Sequence, residues 1–269
     1  MISRGIQEGL RYLFRLWGIR ELWDKILQVS GCAGLLLIRS GSVKAGISEW
    51  LFYTAAVSFL LIGGYTINAA ADFAQDSLSG KSSIEPAPRR SHSLASGIAG
   101  VAIGMLLMLK ATHEVLPLAV AVGTIFLGVE YSLPPIRFKE RGIWGVVIGA
   151  LTQRPMMFLV WAAALDVWNG YALTLACWLF SGGIAGMLGH QALDRDYDST
   201  GGVRSFVLQK GLRVTSRLAA ASGIVMALAT LAPFAFMPMG QALLHAGVLA
   251  AMLSIRAGKG IRLLRQTRT

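Results

Sequence analysis

Apolar blocks long enough to cross a bilayer recur along this chain and constrain its fold more than any other feature. A hydrocarbon core of about 30 Å takes roughly 20 helical residues, and candidate spans lie near 24-39, 47-67, 93-111, 115-131, 143-165, 170-189, 214-234 and 239-256. A soluble helical protein would interleave charges at helical period. Here 54% of residues are hydrophobic and 14% charged, more apolar surface than one soluble core of this size takes. The expected fold is all-α, a polytopic transmembrane helix bundle of about eight spans forming a single domain over 21-256.

A net charge of +11 in a soluble chain would point to nucleic acid, but the placement of the cations excludes that reading. With the N-terminus in the cytoplasm, nearly all of the 25 Lys and Arg fall on the cytoplasmic side. Arg39, Lys44 and Lys110 are outside, and Arg154 lies within a span. The positive-inside rule then puts both termini in the cytoplasm of a prokaryotic-type membrane. Ile6, Leu10, Leu13, Phe14 and Trp17 at helical spacing beside Arg4, Arg11 and Arg15 predict an amphipathic surface helix over 1-20. Residues 257-269 read as a basic cytoplasmic tail. Cys32 and Cys177 lack metal-ligand spacing and read as packing residues. Oligomeric state is not encoded in any feature of the chain.

Acidic residues gather where two spans end. Asn68, Asp72 and Asp76 follow at four-residue steps, each turning a helix by about 400°, so they form one stripe. Oxygen donors at the negative end of a helix dipole suit a hard cation such as Mg²⁺; a solvated helix end is the plainer alternative. The pattern recurs four spans later: Asp72-x-x-x-Asp76-Ser77-x-x-Gly80-Lys81 parallels Asp194-x-x-x-Asp198-Ser199-x-x-Gly202-x-Arg204. Two facing acidic sites, each followed by a cation, describe a clamp in which metals bridge a diphosphate, with Lys81 and Arg204 as phosphate contacts. Such a clamp stabilises charge on a departing diphosphate. A third segment, Tyr131-Ser132-Leu133-Pro134-Pro135-Ile136-Arg137-Phe138-Lys139, is stiffened by its prolines and aims Arg137 and Lys139 the same way.

These three ordered segments resemble the UbiA superfamily of intramembrane prenyltransferases: Asn68, Asp72 and Asp76 match its first Asp-rich motif, Asp194 and Asp198 its second, and residues 131-139 its Tyr-Ser-x-Pro-Pro-x-Arg-x-Lys segment. The resemblance implies a helical bundle, usually of nine spans, around a central cavity capped by cytoplasmic Asp-bearing helix ends. It implies Mg²⁺-dependent transfer of a prenyl group from a polyprenyl diphosphate to a hydrophobic acceptor. Asn68, Asp72, Asp76, Asp194 and Asp198 would hold metal, with Asp72, Asp194 and Tyr131 central to catalysis and Tyr131 beside the ionising carbon. Lys81, Arg137, Lys139 and Arg204 would contact phosphate. Ala69 and His190 stand where many members carry Asp, which leaves the bridging acids intact.

Two further residues are candidates for the acceptor side of the cavity. Arg154, before Pro155, is an intramembrane cation that needs a partner; substrate contact is the favoured reading and a structural ion pair the other. His190 either accepts a proton or hydrogen-bonds a neighbour. Trp161, Trp168 and Trp178 read as pocket lining or as packing. Two other functions fit parts of this pattern: a membrane terpene cyclase with the same ionising site, and a transporter with intramembrane acids.

Overall fold

The computed structural model describes residues 18–41, 46–80, 89–235 and 237–266, with Tyr12 and Leu16; of 20, 21 and 255–266 it describes the backbone only. The expected surface helix over 1-20 therefore lies almost wholly outside the described residues, as does Lys81. The long helices are α1 (Ile19–Ser40), α2 (Ile47–Leu78), α3 (Arg90–Ala111), α4 (Val115–Ser132), α5 (Ile143–Gln153), α6 (Pro155–Leu165), α7 (Gly170–Leu193), α9 (Phe206–Leu231) and α10 (Met239–Gln266), with the short α8 (Arg195–Thr200) between α7 and α9. A single 3-10 turn, Phe138–Glu140, interrupts the connection from α4 to α5, and a second, Ala232–Ala235, follows α9. No strand occurs among the described residues.

Each expected span falls on helix, 143-165 being divided between α5 and α6, and among the described residues five helices qualify by length and composition to cross a membrane, or six with α5 and α6 taken as one bent span. The first expected span falls short. Asp24, Lys25 and Arg39 interrupt the apolar run of α1, and α10 is apolar over its described side chains, Met239–Ser254. That last helix continues to Gln266, so the first part of the expected tail is helical. The expected span 143-165 bends by 41° at Arg154, because Pro155 supplies no backbone N–H and its ring crowds the preceding turn. A second break lies at Gly211, whose backbone (φ 78°, ψ 163°) suits a residue without Cβ.

The most extensive helix contacts join α2 to α3 and α7 to α9. The acidic motifs lie at the C-terminal end of α2 and directly after that of α7. Small residues bring the first pair together. A Cβ on Gly100 would lie 3.0 Å from the Phe59 carbonyl oxygen and 3.1 Å from Gly63 Cα, with backbone that cannot yield cheaply on the other side. In lipid, where apolar burial drives little association, such close packing is the main source of helix affinity. Gly100→Val is expected to destabilise the bundle by about 1–3 kcal/mol, read as a lower melting temperature in detergent; an unchanged melt would show that the seam tolerates separation.

The main core lies between α1, α2, α6 and α7 and holds Tyr53, Phe158, Trp161 and Leu175, all buried. Trp161 donates to the Ala33 carbonyl at 3.1 Å and Trp178 to Thr230 Oγ1 at 3.1 Å, so both are packing residues with satisfied polar tips; Trp168 is exposed. Cys32 packs in the core, whereas Cys177 is exposed, and both are free thiols. The periphery carries exposed Ile98, Leu106, Phe126, Leu173, Ile224 and Leu228, the inverse of a water-soluble surface and suited to lipid contact.

Candidate functional site

One cavity of about 610 Å³ brings the predicted motifs together. Along α2 its wall follows helical spacing, from Leu60 and Leu61 through Gly64, Ile67 and Asn68 to Asp72, Gln75 and Asp76. The stripe thus turns from apolar to acidic towards the C-terminus. Asp194 and Asp198 line the same cavity, as do Tyr131, Ser132, Lys139 and His190. Ile125 and Val129 on α4, Val101 on α3, and Met157 on α6 extend the apolar part. Such a graded pocket matches a ligand with a polyanionic head and a hydrocarbon tail.

The second acidic pair does not sit on one continuous helix. The long helix stops at Leu193, and Asp194 forms the junction with α8. The Asp198 N–H nonetheless donates to the Asp194 carbonyl at 2.8 Å, so one turn of helical spacing is kept. Gln191 stabilises this junction by accepting from the Phe206 N–H at 3.1 Å, fixing the start of α9 beside the second motif.

The loop between α4 and α5 is drawn onto the acidic stripe of α2. Lys139, 8% exposed, donates to and ion-pairs with Asp72, and Arg137 stands 3.7 Å from the same carboxylate oxygen. Arg137 also reaches Glu140 at 3.2 Å. Ser132 donates to the Asn68 side-chain carbonyl and ties α4 to α2. Tyr131 faces the cavity over Gly149, where a Cβ would approach its ring to 3.0 Å. The backbone at Arg137 is left-handed (φ 47°), which reverses the chain so that both cations turn towards α2.

Several sequence expectations change here. Arg137 lies beside the cavity rather than on its lining. Arg204 is exposed and not on the lining, between Val203 and Ser205, which are; its carbonyl accepts from Gln209 at 2.8 Å. Among the described residues, Lys139 is the motif cation that lines the cavity. Arg154, 2% exposed, is absent from the lining. Its guanidinium donates to Gln28 at 3.0 Å and lies 3.7 Å from the Asp24 carboxylate, which is the ion-pair reading rather than substrate contact. His190 is exposed at the C-terminal end of α7 on the cavity rim.

Sequence reasoning passed over Gln75, Ser132, Gln191 and Lys25, all of which line the cavity. Gln75 carried a signal: it lies three residues after Asp72, on the same helical face. Lys25 carried a weaker one, as a cation at the start of an apolar block.

Among the described residues, no three His, Cys, Asp or Glu side chains group to cage a metal ion. Mg²⁺ does not need such a cage, since it commonly takes one or two carboxylates together with phosphate oxygens and water. Carboxylates from two motifs lining one cavity fit that mode of binding.

The UbiA prenyltransferase family model matches residues 28–269. No curated protein sequence matches the chain. Among solved structures, a UbiA homolog from Archaeoglobus fulgidus bound to GPP and Mg²⁺ is similar with a TM-score of 0.64 and 17% identity, covering 91% of this chain and 85% of that one. The same homolog bound to DMAPP and Mg²⁺ gives a TM-score of 0.63 and 17% identity over 91% and 85%. A structure described as digeranylgeranylglyceryl phosphate synthase gives 0.59 and 18% identity over 97% and 94%. At these identities the structures establish a shared fold, while the family match spans most of the sequence. The chain belongs to the UbiA prenyltransferase family.

Proposed function

We propose that this protein transfers a prenyl group from a prenyl diphosphate to a hydrophobic acceptor, in a Mg²⁺-dependent reaction through an allylic carbocation. The observation that carries the reading is the single cavity lined by both acidic pairs and by a continuous apolar stripe. Structural neighbours described with GPP or DMAPP and Mg²⁺ support the donor class and the metal. The family's prenyltransferase identity supports transfer over transport.

Asn68, Asp72 and Asp76 from one motif, and Asp194 and Asp198 from the other, would hold Mg²⁺ against the diphosphate. Bound there, Mg²⁺ neutralises charge on the leaving group. Lys139 and Arg137 supply fixed cations beside Asp72, and preorganised charge of this kind favours a transition state in which diphosphate gains negative charge. The allylic chain lies along Ile67, Gly64, Leu61 and Leu60, where water is scarce. Tyr131 borders the place where the C–O bond breaks and shields the cation from solvent. The acidic end faces the cytoplasm, with both termini on that side, in keeping with the distribution of Lys and Arg.

Purified protein with farnesyl or geranylgeranyl diphosphate is expected to release diphosphate only when both Mg²⁺ and an acceptor-containing lipid extract are present, and chelation should stop the release. Equal release without acceptor, with a cyclised hydrocarbon as product, would assign the site to a terpene cyclase instead.

A further inference from the structure

We infer that Gln75, at an unassigned position between Asp72 and Asp76 of the first acidic motif, is a positioning residue that aims the two loop cations at the diphosphate. This rests on the prenyltransferase reading above. Its side-chain oxygen accepts from Arg137 at 2.5 Å and from Lys139 at 3.3 Å, while its amide nitrogen donates to Glu140 Oε1 at 3.3 Å. One uncharged side chain thus serves two cations and one carboxylate. The amide suits this role because it carries acceptor and donor on the same planar group. Rotating the amide by half a turn would set its NH₂ against both cations, so the network selects a single orientation.

The reason for a neutral group lies in the crowding around Asp72. That carboxylate is ion-paired to Lys139 and close to Arg137, and it also belongs to the proposed metal set. Without Gln75, Lys139 would depend on Asp72 and Arg137 on Asp72 and Glu140, so both cations would compete with the metal for the Asp72 oxygens. Gln75 gives them a further acceptor one helical turn along, without adding negative charge that would hold them away from phosphate. By binding Glu140 it also spaces that carboxylate from the cavity, whose lining does not include Glu140. Gln75 therefore acts through Lys139 and Arg137.

The test is steady-state kinetics on Gln75→Met, which keeps the length of the side chain and removes its hydrogen bonds. Loss of charge-assisted bonds to two cations is expected to raise KM for the prenyl diphosphate about tenfold, with kcat changed less and the melting temperature retained. Gln75→Glu keeps an acceptor for the cations and is expected to fall between wild type and Gln75→Met. In a Lys139→Met, Arg137→Met background the Gln75→Met effect should disappear, because the groups it positions are gone. An unchanged KM, or a Gln75→Met effect of full size in that background, would overturn the proposal. A wild-type protein that turns over no prenyl diphosphate would instead overturn the underlying function, so the two failures are distinct.

Discussion

Asp72→Ala is expected to lower the rate of diphosphate release by about a thousandfold or more, while the protein remains folded. Removing one preorganised electrostatic contact from an active site commonly costs about 10²–10³ in kcat, and Asp72 has two roles. It is a proposed ligand for Mg²⁺, and it anchors Lys139 and Arg137. Its loss therefore removes a metal ligand and unfixes two cations together. Asp194→Ala should have a comparable effect, because the same cavity is lined by the second proposed acid set. The measurement is diphosphate release at saturating Mg²⁺, with helical circular dichroism as the folding control. Either variant retaining a tenth of wild-type turnover would remove that carboxylate from the catalytic centre.

Asp24→Ala is expected to cause the largest loss of stability of any single change argued from this structure. Arg154 is almost wholly buried at the break between α5 and α6, and its carboxylate partner comes from α1. Truncating Asp24 takes a carboxylate away from a buried guanidinium, and breaking such a pair costs about 3–5 kcal/mol. The double variant Asp24→Leu, Arg154→Met should recover most of this, because removing both charges also removes the cost of burying them. Thermal melting in detergent separates these outcomes. A double variant as unstable as Asp24→Ala would mean that Arg154 stabilises the bundle through contacts other than this pair.

The path of Arg154 from sequence to structure shows where prediction by residue type ends. Its intramembrane position marked it as a residue with a partner, since an isolated charge in that environment is costly. The partner lies on a helix more than a hundred residues earlier in the chain, and no local spacing relates the two. Arg204 shows the converse. Its place in the repeated motif matched that of Lys81, yet motif position does not determine which way a loop residue faces. The structure leaves Arg204 exposed and off the lining and puts Lys139 on the cavity wall.

What the sequence determined by itself follows from local periodicity and solvent partition. The apolar blocks required helices, since only internally hydrogen-bonded segments are stable in hydrocarbon. Four-residue steps put Asn68, Asp72 and Asp76 on one face, and their repetition near Asp194 brought a second acid pair and a family resemblance with them. The tertiary structure decided the rest: that the two acidic ends share one cavity, that the loop after α4 folds onto Asp72 through Lys139 and Gln75, and that Arg154 pairs with Asp24 on α1. Each of these depends on contacts between residues far apart in the chain, which packing sets and local spacing does not encode.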